Sequence, residues 1–170
     1  THMVFSALMQ REAAQGNTIH HQVNVFKRQR AVKASPSICI VTFRKLLCLE
    51  VVRKYAAMFG IESYATLRTT ERIAAAPDII VQCDSLWKVG LREYRTLVLD
   101  ELNMVLERVY VCRDKNRVFA TLVRLCRAAH RSGGLVIMDA YASDVVLYFL
   151  ETCCDIPRAD QHWRGTTYSP

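Results

Sequence analysis

The stretch Thr96-Leu97-Val98-Leu99-Asp100-Glu101-Leu102-Asn103 constrains the fold more than any other part of the chain. Three aliphatic residues, Leu97 to Leu99, end abruptly in two adjacent carboxylates. Such a run, with no polar alternation, reads as a strand buried on both faces, as in a parallel sheet. Side chains at the carboxyl end of a parallel strand lie where open α/β sheets hold their ligands. Asp100 and Glu101 are therefore placed to handle a metal-bound phosphate, Asp100 supporting the metal and Glu101 orienting a water. The competing reading is a solvated strand-to-helix turn with Asp100 as an N-cap.

The rest of the chain repeats this strand-then-helix punctuation. Ile38-Cys39-Ile40-Val41-Thr42 reads as a second buried strand after the breaker Ala34-Ser35-Pro36-Ser37. A helix from about Leu46 to Phe59, closed by Gly60, follows it. Residues 61–76 read as a short strand or loop and then a surface connection. Ile79 to Cys83 is a third strand, and Asp84 to Val89 begins a short helix that leads through Gly90 to the central strand. Leu102 to Val111 is helical or irregular. Asp114 to Arg131 has helical periodicity, with Val118, Leu122, Leu125 and Ala129 on one stripe. Arg117, Arg124, Arg127 and Arg131 lie between them and suit a solvated face better than a binding track. Ser132-Gly133-Gly134 stops that helix, and Leu135 to Met138 forms a fourth buried strand ending in Asp139 and Ala140. Residues 144–152 form a further helix. The crossovers are long enough for parallel pairing, so the expected architecture is an open α/β, mostly parallel sheet with helices on both faces. Residues 34–154 make that domain. Residues 1–33 are an uncertain N-terminal helical segment, and residues 155–170 are a domain edge or truncation point.

Composition narrows the class. The 170 residues are 51% hydrophobic and 23% charged, which suits a globular domain and excludes a disordered chain. Lys plus Arg number 23 against 16 Asp plus Glu, a balance of +7 that favours a polyanion such as nucleic acid. The seven cysteines form no CxxC or Cys/His spacing, so they read as free packing residues of a reducing compartment, the cytosol or nucleus. His20-His21 lacks a third ligand nearby, which argues against a metal pair. No apolar run approaches the roughly 18 residues of a membrane span, and no secretory signal precedes the domain. At the end of the second strand, Thr42, Phe43 and Arg44 bring a hydroxyl, an amide and a cation to one rim, a set suited to nucleic acid phosphates. Ordinary βα punctuation with exposed basic residues is the plainer reading of the same residues.

Four segments carry a resemblance: Ile-Val-Thr-Phe-Arg-Lys from Ile40, Val-Gln-Cys-Asp-Ser-Leu-Trp-Lys from Val81, Val-Leu-Asp-Glu-Leu-Asn-Met-Val-Leu from Val98, and Val-Ile-Met-Asp-Ala from Val136. In this order they resemble the first motor domain of the herpesvirus-type replication origin-binding proteins, a group of superfamily 2 helicases. The resemblance covers roughly residues 38–150 and is most distinctive at Asp100-Glu101-Leu102-Asn103. It implies a RecA-like P-loop fold, ATP and Mg²⁺ as cofactors, and DNA, single-stranded or an origin duplex, as partner. It implies a nuclear setting in DNA replication, and a second motor domain outside this chain. Residue by residue, it implies that Asp100 supports Mg²⁺ and Glu101 positions the hydrolytic water. Thr42, Phe43 and Arg44 would contact the nucleic acid backbone. Gln82, Ser85 and Leu86 would belong to the next strand-end segment facing the bound strand. Asp139 and Ala140 would couple the nucleotide site to DNA.

One departure matters. A P-loop needs G-x-x-x-x-G-K-[ST], because backbone N–H groups and a lysine hold the phosphates. The nearest candidate, Gly16-Asn17-Thr18, has Asn17 where the lysine belongs, and Gln10 to Gln15 holds no glycine. Either the nucleotide site has decayed, or the true first strand and loop lie outside this chain and residues 1–33 are unrelated sequence. Thr18 retains the hydroxyl that would face Mg²⁺. The sequence thus supports an ATP-dependent DNA helicase fragment or a catalytically inactive nucleic-acid-binding module on the same fold. A third reading is a Mg²⁺-dependent phosphate-handling enzyme that uses Asp100, Glu101 and Asp139 as an acid cluster.

Overall fold

A computed structural model describes residues 37–46, 48–50, 52–53, 60–139 and 143–161. Among the described residues five strands, β1 (Ile38–Thr42), β2 (Glu62–Ser63), β3 (Asp78–Gln82), β4 (Thr96–Asp100) and β5 (Leu135–Met138), form one sheet in the order β2-β3-β1-β4-β5. Every neighbouring pair is parallel. The chain is therefore an α/β protein. Residues 45, 46, 48–50, 52 and 53 are helical and follow β1. Helices α1 (Tyr64–Leu67) and α2 (Thr70–Ala75) join β2 to β3, and a 3-10 helix (Cys83–Val89) lies between β3 and β4. Helices α3 (Leu102–Val111) and α4 (Lys115–Arg131) join β4 to β5. Beyond β5, α5 (Asp144–Tyr148) runs directly into a π-helical turn, Phe149–Cys153. Among the described residues no helix is long and apolar enough to cross a membrane.

The strand order creates a crevice. From β1 the chain passes β3 to reach the edge strand β2, whereas from β4 it turns the opposite way to β5. The carboxyl ends of β1 and β4 flank the point where these directions diverge, which is where open α/β sheets bind ligands. Thr42 and Asp100 end those two strands.

Burial follows the aliphatic runs, with one correction. Ile79, Ile80 and Val81 of β3 are fully buried, as are Cys39 and Val41 of β1 with Ile40 nearly so, so both faces of these central strands are covered. In β4, Leu97 and Leu99 are fully buried but Val98 is only half-buried. The expected burial of β4 on both faces therefore fails at Val98. Its partner on β5, Val136, and the flanking Leu135 and Ile137 are also half-buried, so the cover among the described residues thins toward β5.

Residues 61–76 are more ordered than a surface connection. The Ser63 hydroxyl accepts the Ala65 N–H at 3.1 Å and the Thr69 hydroxyl accepts the Arg72 N–H at 3.3 Å, and these caps start α1 and α2. On α4, Val118, Leu122, Leu125 and Ala129 face the core as their spacing requires. Two of its arginines, Arg124 and Arg127, tie down neighbouring segments, while Arg131 stays on the solvated face as expected. Arg124 donates to the carbonyls of Gly90, Leu91 and Arg92 at 2.6, 3.3 and 2.9 Å. Arg127 donates to the Cys153 carbonyl at 3.0 Å, and Arg131 lies 3.7 Å from Glu93. All seven cysteines are free, and burial pushes the Cys48 and Cys83 thiols up to about 12, as inert packing residues require.

The glycine pair after α4 has two different jobs. Gly133 has φ 71 with open space around its missing side chain. A Cβ on Gly134 would sit 2.1 Å from the Arg95 carbonyl oxygen, where α4 feeds into β5 beside β4. Gly134→Ala should therefore cost about 3 kcal/mol by forcing two backbones apart. Gly133→Ala should cost about 1 kcal/mol through its left-handed backbone alone. Urea unfolding midpoints with unchanged m-values check both.

Candidate nucleotide site at the β1–β4 rim

Register builds the site. Thr42 lies opposite Gln82 on β3, Val41 lies opposite Leu99 on β4, and Asp100 lies opposite Met138 on β5. Gln82, Thr42, Asp100 and Met138 therefore form a row across the carboxyl rim, on one face of the sheet. Thr42 is fully buried and Asp100 is 3% exposed.

Asp100 is the anomaly of this row. Neither carboxylate oxygen has a hydrogen-bond partner among the described residues, although both are buried. Burial, then the charges of Glu101 and Asp139, push its pKa up to about 6; the Thr42 hydroxyl beside it in the row makes no well-formed hydrogen bond to it and offsets little of this. Nor does Asp100 act as an N-cap: Glu101 occupies that position at the start of α3. An unpaired buried carboxylate is costly, so the folded protein carries an unfavourable group at the point where the topology places a ligand.

Glu101 is held in a special backbone geometry. At φ 53 and ψ 66 it is left-handed, a conformation costing a non-glycine residue about 1 kcal/mol. Its N–H donates to the Met138 carbonyl at 2.6 Å, and its carbonyl accepts the Val105 N–H at 3.0 Å. These two bonds fix the turn from β4 into α3, and the half-buried side chain makes no capping bond to the helix.

Asp139 supports α3 from the neighbouring strand. Its Oδ2 accepts the Asn103 N–H at 2.9 Å and the Asn103 Nδ2 at 3.0 Å. The Ser143 hydroxyl donates to Asn103 Oδ1 and accepts the Val146 N–H at 3.3 Å, so it also starts α5. Asn103 and Ser143 are site residues that sequence reading missed. Ser143, one residue before the expected start of a helix, was a readable cap signal, whereas the Asn103–Asp139 pairing was not readable from spacing.

The Thr42 hydroxyl accepts the Arg44 N–H at 3.3 Å and so shapes the exit of β1. Phe43 is half-buried, and the exposed Arg44 holds its guanidinium 4.7 Å from the Phe43 ring. Gln82 uses both ends of its amide internally: Nε2 donates to the Phe43 carbonyl at 3.4 Å and Oε1 accepts the Tyr64 hydroxyl at 2.9 Å. Ser85 is half-buried at the start of the 3-10 helix, and Leu86 is fully buried in the core, so Leu86 cannot face a bound strand. Gly16, Asn17, Thr18 and Ala140 lie outside the described residues.

Among the described residues no group of three His, Cys, Asp or Glu side chains is arranged to hold a metal ion, so Asp100, Glu101 and Asp139, though near enough for their charges to act on one another, do not form a three-ligand metal site. Magnesium needs less than that. It keeps most of its waters and binds through one or two carboxylates plus substrate phosphates, so the single unpartnered Asp100 fits a nucleotide-borne Mg²⁺. Compared with models of protein families, with characterised proteins and with solved structures, the chain matches none.

Proposed function

We propose that this chain is a RecA-like motor-type domain of the ATP-dependent DNA helicase class, resembling the replication origin-binding proteins, and that it couples Mg²⁺–ATP at the β1–β4 crevice to DNA at the adjoining rim. The buried, unpartnered Asp100 at the topological switch point carries this reading. Bound Mg²⁺–ATP would supply a phosphoanhydride whose cleavage is driven by electrostatic stabilisation of the transferred group. In that complex Asp100, ionised above pH 6, would hold the metal, and Glu101 would orient a water through its fixed position at the head of α3. Asp139 steadies that helix start. A nuclear role in replication belongs to the same reading.

A second reading keeps the fold and the DNA contact but not hydrolysis. Asn17 at the position where a phosphate-binding lysine belongs favours it. Both readings put Arg44 on the DNA backbone. Arg44→Ala should weaken DNA binding about fivefold at 0.1 M salt and lower the slope of log affinity against log salt by about 0.7 to 0.9, one phosphate contact. An unchanged slope removes Arg44 from the DNA interface. DNA-stimulated release of phosphate from ATP decides between the two readings, since the inactive module shows none.

A further inference from the structure

The flank formed by the 3-10 helix, the end of α3 and the first turn of α4 carries cations that the fold does not neutralise. The Arg117 guanidinium lies 4.1 Å from the centre of the Trp87 ring, with the Lys88 ammonium at 5.8 Å. At the end of α3, Tyr110 is 78% exposed, and the Lys115 ammonium is 5.7 Å from its ring. Arg113, in the turn between α3 and α4, is exposed. Among the described residues no carboxylate pairs with Lys88, Arg113, Lys115 or Arg117. Asp84, at the head of the 3-10 helix, is taken by Arg108, whose Nε and Nη2 donate to it at 2.9 and 2.6 Å. Glu107 lines the apolar groove between α3, α4 and α5 that Tyr110 also borders, and it pairs with none of these cations. Within the turn itself Asp114 is the one acid against Arg113, Lys115 and Arg117.

A run of unneutralised cations interleaved with aromatic rings is the arrangement that single strands of nucleic acid use, with phosphates on the cations and bases on the rings. A duplex keeps its base faces stacked inside, so it takes the cations and leaves the rings unused. We propose that this flank is a contact track for single-stranded nucleic acid, with Trp87 and Tyr110 as base platforms and Arg113, Lys115 and Arg117 against phosphates. The inference rests on the cation and ring geometry and requires nothing of the Asp100 site.

The test is titration of a fluorescein-labelled oligothymidylate of about 20 nucleotides into the full chain over a range of salt. Lys115→Ala/Arg117→Ala alters two exposed side chains. It should weaken binding about tenfold at 0.1 M salt and lower the log–log slope by about 1.4, two single-strand phosphate contacts. Trp87→Leu should weaken binding about tenfold with the slope unchanged, because a ring carries no charge. A duplex of equal length should bind more weakly than the single strand. Mg²⁺–nucleotide affinity of the double variant should equal wild type, whereas loss at Asp100 leaves oligothymidylate binding intact, so the two sites fail independently. Absence of oligothymidylate binding by wild type, or a double variant indistinguishable from it, overturns the proposal. Displacement of the oligonucleotide by polyglutamate at equal charge also overturns it, and would make the flank a docking face for an acidic protein segment.

Discussion

Asp100→Asn should make the ligand-free protein more stable at pH 7.5 while abolishing its Mg²⁺-dependent nucleotide binding. The carboxyl of Asp100 has its folded-state pKa raised from 3.8 to about 6, chiefly by burial. The folded protein therefore binds this proton more tightly than the unfolded chain. Between those two values the folded state holds more protons, so stability falls as pH rises and levels off above the folded pKa. The penalty at neutral pH is about 3 kcal/mol for a shift of this size. Asparagine removes the buried charge but leaves an unpartnered amide, so recovery should be about 2 kcal/mol, or about 5 °C in Tm for a domain of this size. Wild type should also lose about 1 kcal/mol between pH 5 and pH 7 from this group, a slope that the variant lacks. Thermal melts across that range, with no Mg²⁺ present, check both effects. A variant less stable than wild type at pH 7.5 would mean that Asp100 is paired in the ligand-free protein.

Glu101→Gln should reduce any ATP turnover by about 100-fold or more, the usual scale for losing a positioned base, and leave nucleotide and DNA affinity within about twofold. The amide keeps the shape and the left-handed backbone but cannot draw a proton from water. Equal loss of binding and turnover would show that Glu101 holds the ligand and does not activate water. Glu101→Gly separates the side chain from its backbone. Relief of the φ 53 conformation should stabilise the ligand-free fold by about 1 kcal/mol, although the carboxylate is gone. Residues that lower stability in the free protein and raise turnover in the complex are a recurrent cost of function.

Contiguous aliphatic runs bounded by breakers were the most legible features. Ile38–Thr42 and Leu135–Met138 are strands with the expected ends, although only the central β1 is buried on both faces and the edge strand β5 is half-buried. The stripe of α4 was equally readable, since one helix face must cover the sheet. Less legible were features decided by a single side chain or by distant partners. Ser63 and Thr69 each start a helix of a few residues, too short to show periodicity. The π-helical end of α5 has no sequence signature of its own.

The same division holds at the site. Asp100 was readable because a carboxylate at the end of an apolar strand can lie only on the rim. That Asp139 is committed to Asn103, 36 residues away, depends on β4 and β5 being neighbours, which spacing along the chain does not reveal. Gln82 likewise had the right position for a ligand contact, yet its amide is engaged by Tyr64 and Phe43 once the strands assemble. The arginines of α4 divide for the same reason, with Arg124 folded onto a loop and Arg117 left over a ring.

On the function proposed above, Asp100 is kept unpaired for a metal-bound nucleotide. The most direct test of this claim is equilibrium binding of a fluorescent ATP analogue to the full chain, with and without Mg²⁺, for wild type and Asp100→Asn. Micromolar binding by wild type that requires Mg²⁺ and weakens at least tenfold in the variant is the predicted result. Binding that ignores Mg²⁺, or that is equal in the two proteins, or absent from both, would contradict the claim.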